Sequence, residues 1–344
     1  MYHDVTILAT LTALPPSPED CPNLRASPPL HPAPRPYLPS PIHSCFDQLT
    51  TATGLIHIFS AGTNHLQDSP IYTSTSIPLT TSSGIHGPQI SEWVLMTALV
   101  HSHHYNKLHD WQRAHHWGSG ADKASDLRTV RDNVGQRLGV LGYGSIGRQV
   151  GRVSKAMGMD VIAYTASPRE TPESKKDPGF IVPGTGDPDG SIPSAWYSGM
   201  DKKSLHHFLS QDIDQLLVSV PLTKETTHFL GAEEFAILGK RNAFVSNISR
   251  GQIVDQDALI AALEEGAKDG AHGGLRGAAL DVSDPEPLPK DHPLWDAPNC
   301  ILTPHISGLG TAYVDRAFQV LEVNMERMER GEGLINLVDR KRGY

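Results

Sequence analysis

Three glycines spaced as G-x-G-x-x-G lie between the apolar run RLGVL and the stretch GRQVGRVSKAM. In a strand-turn-helix unit, the first glycine permits a tight turn, the second lets the backbone approach a pyrophosphate, and the third lets the helix pack on the strand. The amino end of the helix then faces the phosphates, which suits its free amides and its dipole. The motif predicts a dinucleotide site whose candidate residues are Gly142, Tyr143, Gly144, Ser145, Ile146 and Gly147.

The residues after the second strand of this unit bear on the choice of cofactor. That strand usually ends in an acid that receives the ribose 2′-hydroxyl of NAD. Here DVIAYTASPRE offers Thr165, Ser167 and Arg169 instead. The hydroxyls can hydrogen-bond a 2′-phosphate without repelling it, and the guanidinium can bind it through two nitrogens. NADP is therefore favoured over NAD, the alternative being that Thr165 caps the strand and Arg169 is an ordinary surface charge.

Composition limits the classes of partner. Of 344 residues, 38% are hydrophobic and 19% charged, and the net charge of −9 comes without a long Lys/Arg block. These values argue against nucleic acid or an anionic membrane as the partner. The three cysteines, at positions 21, 45 and 300, fit neither a disulfide framework nor a zinc site. We expect a cytoplasmic protein.

A histidine-rich stretch, HSHHYNKLHDWQRAHHW, continues the long helix predicted to begin at Pro88. A metal site needs ligands at diagnostic spacings, and no Cys, Asp or Glu partner stands at such a spacing here. We interpret the stretch as an exposed helix end and predict no metal.

Strand and helix patterns alternate from Leu138 onward. Runs such as DVIAY and QLLVSVPL alternate with stretches such as DQDALIAALEEG, which predicts an α/β fold with a doubly wound parallel sheet. The opening stretch MYHDVTILATLTAL contains an apolar run without a basic n-region before that run, and it predicts a strand rather than a signal peptide. Pro15–Pro41 is too rich in proline for a helix or a central strand, and residues 171–203 predict an inserted loop.

Three further motifs follow the glycine fingerprint: SNISRGQIVDQDAL, AALDVSDPEPLPKDHPLW and ILTPHISG. In this order they resemble the D-isomer-specific 2-hydroxyacid dehydrogenase family, and the chain looks like its glyoxylate/hydroxypyruvate reductases. The resemblance implies a Rossmann cofactor domain at residues 88–304 and a smaller substrate domain from residues 1–87 and 305–344. It also implies NAD(P)-dependent hydride transfer between the cofactor and a small 2-oxo acid or D-2-hydroxy acid. We expect a homodimer.

The resemblance gives each motif a role. Arg250 matches the arginine that grips the substrate carboxylate and 2-oxo group, His305 the catalytic histidine, and Glu286 the acid paired with that histidine. Asp281 matches the residue that contacts the nicotinamide carboxamide, and Pro221 is a further candidate cofactor contact. The turn SAGT matches the loop whose backbone amides hold the substrate carboxylate, and its residues are Ser60, Ala61, Gly62 and Thr63.

The chemistry of 2-oxo acid reduction calls for these residue types. Besides a hydride, the reaction needs a proton donor at the carbonyl oxygen and fixed positive charge for the carboxylate. A histidine supplies the proton, an arginine supplies the charge, and a carboxylate beside the histidine favours the imidazolium. Pro285 and Pro287 stiffen the loop that carries Glu286. Taken singly, a helix-end charge, a loop histidine and a solvated acid are the alternatives.

The sequence departs from the family before the SAGT strand. Relatives build a full α/β segment there, whereas here DVTILATL and the proline-rich stretch precede it. We therefore expect an incomplete substrate domain. The alternative function is a nicotinamide-binding regulatory protein, similar to the corepressors that resemble this family, or an inactive family member. Formate dehydrogenase is disfavoured, because relatives with that activity carry glutamine where Glu286 stands.

Overall fold

The computed structural model describes residues 6–10, 53–122, 129–268 and 273–343. The proline-rich segment Pro15–Pro41 lies outside these ranges. The chain divides into two compact units, Met1–Ser83 with Val314–Tyr344, and Gly84–Tyr313. Within the described ranges, no helix is both long enough and apolar enough to cross a membrane.

The described residues form ten strands and nine α-helices. The strands are β1 Thr6–Thr10, β2 Thr53–Ile58, β3 Leu79–Thr81, β4 Arg137–Leu141, β5 Asp160–Thr165, β6 Ala195–Ser198, β7 Gln215–Val218, β8 Phe244–Asn247, β9 Gly277–Leu280 and β10 Cys300–Leu302. The helices are α1 Pro70–Thr73, α2 Gly87–Ser102, α3 Tyr105–Arg113, α4 Ser145–Ala156, α5 Pro172–Lys175, α6 Lys202–Leu209, α7 Ala232–Gly239, α8 Gln256–Gly266 and α9 Tyr313–Glu329.

The first unit contains a three-stranded parallel sheet with β2 in the middle. The strand β1 confirms the strand predicted for the opening apolar run. The end of the chain joins this unit, because the Val338 amide donates to the Leu79 carbonyl at 2.8 Å. Among the described residues of this unit, the buried apolar core contains Ile56, Ile58, Ile71, Tyr72, Leu79 and Val338.

The central strand β2 also buries a histidine. His57 has no exposed surface, and its ring nitrogens lie 2.9 Å from Thr80 Oγ1 and 3.1 Å from Ser82 Oγ. Burial lowers the pKa of His57 to about 4, because the protonated ring would lose its hydration in the core. The ring is therefore neutral at neutral pH, bonded to two hydroxyls.

The second unit is built on a seven-stranded parallel sheet in the order β10-β9-β8-β7-β4-β5-β6. Helices cover both faces, since α2 and α4 contribute to one apolar cluster and α6, α7 and α8 to the other. The prediction of a doubly wound parallel sheet is confirmed. The strand order changes direction between β4 and β7, and sheets of this kind bind ligands beyond the carboxyl ends of the strands at such a point.

Part of the segment 171–203 is regular structure. The loop prediction is wrong for Ala195–Ser198, which forms the edge strand β6 and pairs with β5 in parallel. The residues around this strand are rich in proline and glycine, and the strand is short, so the sequence gives only a weak signal for a strand here. An edge strand needs one partner only, and β5 supplies it through the tertiary fold.

A buried aspartate anchors the same segment to Tyr143 and to α4. Asp187 is 3% exposed, and its carboxylate accepts hydrogen bonds from the Tyr143 hydroxyl at 2.9 Å and from the Ser191 and Ile192 amides. The Arg148 guanidinium of α4 donates to the Asp187 carbonyl at 2.5 Å. The segment therefore packs against the helix that follows the glycine fingerprint.

We expect acidification to destabilise the first unit through His57. Its pKa is about 4 in the folded chain and 6.5 when unperturbed. The unfolded chain therefore binds an extra proton between these values, and the stabilisation present above about pH 6.5 is lost as the pH falls toward about 4. The loss amounts to about 3 kcal/mol. Urea unfolding of His57→Gln should show a shallower decrease than wild type.

His65→Gln is the matched control, because His65 lies in the same unit and is exposed. Its free energy of unfolding should follow that of wild type at every pH. A decrease in His57→Gln as steep as in wild type would contradict the assignment of the acid sensitivity to His57.

Candidate active site

The fingerprint glycines form the turn between β4 and α4, and each answers a different steric demand. Gly142 has φ +102°, and a Cβ there would lie 2.7 Å from the Ser219 carbonyl carbon. A Cβ on Gly147 would lie 2.4 Å from the Gly142 carbonyl oxygen. At Gly144, in contrast, a Cβ would meet nothing within 4 Å. The turn therefore packs tightly on both sides of an open space at Gly144.

This space lies at the amino end of α4. Gly144 precedes the helix and makes no side-chain cap. The first amides of a helix lack partners within the helix, and the helix dipole favours an anion there. The turn fits the pyrophosphate of a dinucleotide. Tyr143 can take part only through its backbone, because its side chain is 3% exposed and bonds Asp187.

The residues predicted to meet the ribose 2′-phosphate follow β5. The Thr165 hydroxyl donates to the Ser167 carbonyl at 2.8 Å. Arg169 is exposed, and its Nη1 donates to the Ser174 carbonyl at 2.7 Å. Pro221 follows β7, where its carbonyl accepts from a threonine hydroxyl at 2.7 Å. The role of each residue in cofactor binding stays a prediction.

Arg250, Glu286 and His305 lie in loops that follow β8, β9 and β10. These strands are adjacent and parallel, so the three loops leave the sheet at the edge where the glycine turn lies. Nδ1 of His305 lies 3.0 Å from Oε2 of Glu286. The structure thus brings together the histidine and the acid that the sequence motifs proposed as a pair.

A glycine holds the first two of these loops together. A Cβ on Gly251 would lie 2.1 Å from the carbonyl carbon of Ser283, so no larger residue fits after Arg250. The amide side chain of Gln252 donates to the Asp284 carboxylate at 2.8 Å across the same contact. The sequence Ser-Arg-Gly therefore keeps Arg250 beside the loop that carries Glu286.

The Arg250 side chain is half-buried, and one nitrogen donates to the Ser249 carbonyl at 2.7 Å. Burial lowers the pKa of Arg250, and the negative charge of Glu286 acts in the opposite direction. The guanidinium stays charged in a place where water solvates it poorly. Such a cation gains more from a bound carboxylate than a fully hydrated one does.

A buried carboxylate organises the histidine loop. Asp281 is 1% exposed, and its oxygens accept from the Thr303 hydroxyl at 2.6 Å and from the Ile306 and Ser307 amides at 2.9 Å. Its carbonyl accepts from the His305 amide at 2.8 Å. These bonds enclose His305, which has φ +54°, a conformation that few residues other than glycine adopt without support.

Sequence reasoning missed this function of Asp281. The resemblance pointed to the nicotinamide carboxamide, and that contact stays a prediction. A signal was present in the sequence, because an aspartate at the end of a strand can accept hydrogen bonds from a threonine hydroxyl and from the backbone amides of a nearby loop. Only the adjacency of β9 and β10 shows which donors it meets.

The predicted substrate loop belongs to the first unit and follows β2. Within it, the Ser60 hydroxyl donates to the Gly62 carbonyl at 2.8 Å, and the Thr63 hydroxyl donates to the Gly343 carbonyl at 3.0 Å. Ala61 is exposed, Ser60 and Gly62 are partly exposed, and Thr63 is buried. Substrate binding by this loop stays a prediction.

The fold and the glycine turn define a dinucleotide-binding α/β protein. The family model described as D-isomer specific 2-hydroxyacid dehydrogenase, NAD binding domain, matches residues 95–181 and 188–307. The chain belongs to the D-isomer-specific 2-hydroxyacid dehydrogenase family.

Relatives and solved structures agree with this assignment. The glyoxylate reductase of Korarchaeum cryptofilum is 33% identical over 210 residues, which make up 61% of this chain and 54% of that protein. A probable 2-hydroxyacid dehydrogenase from Rhizobium etli CFN 42, in complex with NADP, HEPES and L(+)-tartaric acid, has a TM-score of 0.64 at 26% identity, over 85% of this chain and 80% of its own. A D-isomer specific 2-hydroxyacid dehydrogenase from Xanthobacter autotrophicus Py2, in complex with NADPH and MES, has a TM-score of 0.65 at 27% identity, over 88% and 82%. The chain spans about half the length of the Korarchaeum reductase.

We expect Asp281→Asn to loosen the His305 loop. The Asp281 carboxylate now accepts hydrogen bonds from two backbone amides. In the variant, the side-chain NH₂ group would face one of these amides, and both groups are donors. An unsatisfied buried donor costs about 1–3 kcal/mol. The free energy of unfolding should fall by this amount. Hydrogen exchange of the amides at positions 305–307 should become faster than in wild type.

Asp296→Asn is the control, because Asp296 is an exposed aspartate in the following turn. It should leave both the unfolding free energy and the exchange rates unchanged. Unaltered exchange in Asp281→Asn would show that other contacts hold the loop.

Proposed function

We propose that the chain is an NAD(P)-dependent oxidoreductase that interconverts a small 2-oxo acid and a D-2-hydroxy acid. The observation that carries this proposal is the 3.0 Å pair of His305 and Glu286, at the sheet edge that also holds the glycine turn. The half-buried Arg250 supplies the fixed positive charge that a 2-oxo acid requires. The bound nicotinamide supplies or accepts the hydride.

The residues of the chain divide the remaining work. Glu286 engages Nδ1 of His305, so Nε2 is the nitrogen that donates a proton to the carbonyl oxygen during reduction. The carboxylate bonds Nδ1 and so fixes the orientation of the ring. Arg250 binds the substrate carboxylate and orients the 2-oxo group. Asp281 acts indirectly, because it holds the backbone on both sides of the histidine.

The cofactor that we propose is NADP, with NAD as the second choice. Support comes from Thr165, Ser167 and Arg169, which stand where an acid would repel a 2′-phosphate. The solved relatives from Rhizobium etli and Xanthobacter autotrophicus are complexes with NADP and NADPH. A short 2-oxo acid such as glyoxylate is the proposed substrate, because a curated relative is a glyoxylate reductase.

The proposal extends to the assembly and its surroundings. We infer a cytoplasmic protein without a nucleic-acid or membrane partner, supported by the net charge of −9 and the low cysteine count. A homodimer is proposed from the resemblance to the family alone. The cofactor domain would span residues 88–304, and residues 1–87 with 305–344 would form the substrate domain.

A spectrophotometric screen tests the activity. Purified full-length chain is mixed with NADPH or NADH and with glyoxylate, hydroxypyruvate, pyruvate or a bulkier 2-oxo acid, and cofactor oxidation is followed. We expect oxidation with at least one short 2-oxo acid and faster turnover with NADPH. Cofactor binding without oxidation of any of them would favour the regulatory protein.

Cofactor choice should depend on Arg169. Arg169→Ala should weaken NADPH binding about 10- to 100-fold, the scale of one charge-assisted hydrogen bond, and leave NADH binding nearly unchanged. Fluorescence titration of both cofactors measures this. Arg152→Ala is the control, since Arg152 lies on α4 and is also exposed. Equal losses for NADPH and NADH in Arg169→Ala would refute the contact.

Proton donation should separate the three central residues. His305→Asn should abolish most turnover because the proton donor is lost, whereas Glu286→Gln should keep the donor and lower kcat less, because the ring has lost only the carboxylate that orients it. Arg250→Ala should raise KM and lower kcat, because it contacts substrate in both the ground state and the transition state. The measurement is kcat and KM for reduction by each variant.

Glu233→Gln provides the matched control for the loss of a carboxylate, because Glu233 has a side chain that is 83% exposed on α7. Its kcat and KM should equal those of wild type, and cofactor affinity is measured separately for every variant. A wild-type kcat in Glu286→Gln, or full activity in His305→Asn, would remove the proton relay from the proposal.

A further inference from the structure

The second unit contains a cavity of about 500 Å³ at the opposite edge of the sheet from the candidate active site. Its lining includes Asn242, Arg276 and Asn299, which precede β8, β9 and β10. The catalytic loops follow the carboxyl ends of the same strands, so the two places are separated by the length of the sheet. The cavity is lined by residues that none of the family motifs contains.

Arg276 is the unusual member of this lining. Its Nη2 lies 3.3 Å from the Gln136 side-chain oxygen, and its guanidinium lies over the Phe244 ring. Among the residues that the structure describes, Nε and Nη1 have no hydrogen-bond partner, and both are shielded from solvent. Arg276 as a whole is half-buried, but two unsatisfied guanidinium nitrogens that water does not reach are costly, and a bound anion or water usually satisfies such groups.

The charges around Arg276 increase this cost. Burial lowers its pKa to about 10, the positive charge of Arg131 acts in the same direction, and Asp214 opposes them. Asp214 is already engaged, because its carboxylate accepts from Arg241 at 2.9 Å and lies 3.9 Å from Arg131. One carboxylate thus faces three guanidiniums, and the cluster retains an excess of positive charge.

The rest of the lining offers neutral hydrogen-bonding groups. Burial lowers the pKa of His101 to about 4, with Arg276 and His104 acting in the same direction, so this ring is neutral at neutral pH. His101 packs against β9 at Gly277, where a Cβ would lie 2.6 Å from its ring. A glycine at this position lets the ring close one side of the cavity beside Arg276.

We propose that this cavity binds a small ligand through an oxyanion, either a phosphoryl group or a carboxylate, with Arg276 and Arg131 as its cationic partners. A planar guanidinium matches the geometry of both groups. Because Nε and Nη1 are shielded in the present arrangement, the guanidinium turns toward the cavity when the anion enters. This inference does not depend on the proposed enzymatic activity.

Titration of the full chain with inorganic phosphate tests the proposal. Binding is measured by calorimetry and by the shift of Tm, in a buffer free of other polyvalent anions. We expect phosphate to raise the Tm of wild type. Arg276→Met should bind phosphate in the cavity at least about tenfold more weakly than wild type. Malonate replaces phosphate in a parallel titration, and the tighter of the two anions assigns the class of the ligand.

Arg241→Gln is the matched control, because it removes the same charge from the same cluster without lining the cavity. It should bind phosphate as wild type does. Phosphate that occupies the glycine turn would raise the Tm of wild type, Arg276→Met and Arg241→Gln equally. Only a difference in phosphate affinity among these three proteins therefore reports on the cavity. Equal losses in Arg241→Gln and Arg276→Met would show a general charge effect and overturn the site.

Stability without phosphate provides the second readout. Methionine has a similar length and needs no hydrogen bonds, so Arg276→Met should have a Tm at least as high as wild type in phosphate-free buffer. A much lower Tm would show that the guanidinium is already satisfied, which overturns the proposal. Wild type that binds neither phosphate nor malonate overturns it as well.

Discussion

The candidate active site depends on a carboxylate that is removed from solvent at the end of β9. Asp281 receives one hydroxyl and two backbone amides from the loop after β10, and its own carbonyl receives the His305 amide. A buried carboxylate is stable only when such donors replace its water. The need to satisfy this charge therefore fixes the backbone on both sides of the histidine.

The other parts of the site follow from that placement. The left-handed backbone of His305 presents its ring to Glu286, which is carried on the loop that begins with Asp281. Gly251 lets the Arg250 loop approach the loop that carries Glu286 so closely that a side chain at position 251 would not fit. The loops after β8 and β10 thus both contact the loop after β9, and the parallel order of these three strands makes this possible.

Features that depend on short stretches of sequence were predictable. The glycine turn is predictable from its spacing and from the strand and helix patterns on either side of it, because its steric demands involve β4, α4 and the strand beside them. The doubly wound sheet follows from the alternation of elements. The pairing of His305 with Glu286 required the resemblance to a family, since no local pattern links residues on separate strands. Domain limits, cofactor choice and the roles of the site residues stay predictions.

Features that depend on tertiary contacts were not predictable in the same way. The edge strand β6 lies among prolines and glycines and is recognisable only beside β5. Asp187 reads as part of a turn, yet it is buried against Tyr143 and holds its segment on α4. Local composition describes what a residue prefers when it is alone, whereas both cases are decided by partners many residues away.

Arg276 and Asp281 show this constraint at the two ends of one strand. Asp281 places its carboxylate where water is excluded just after β9, and the half-buried Arg276 places two guanidinium nitrogens out of contact with solvent just before it. The aspartate is satisfied by the chain itself, and this fixes a loop. The arginine has two nitrogens that the described residues leave without acceptors, and the proposed anion would supply acceptors to this guanidinium. Burial of a charge by one β-strand thus organises the protein at one end and creates a demand for a ligand at the other.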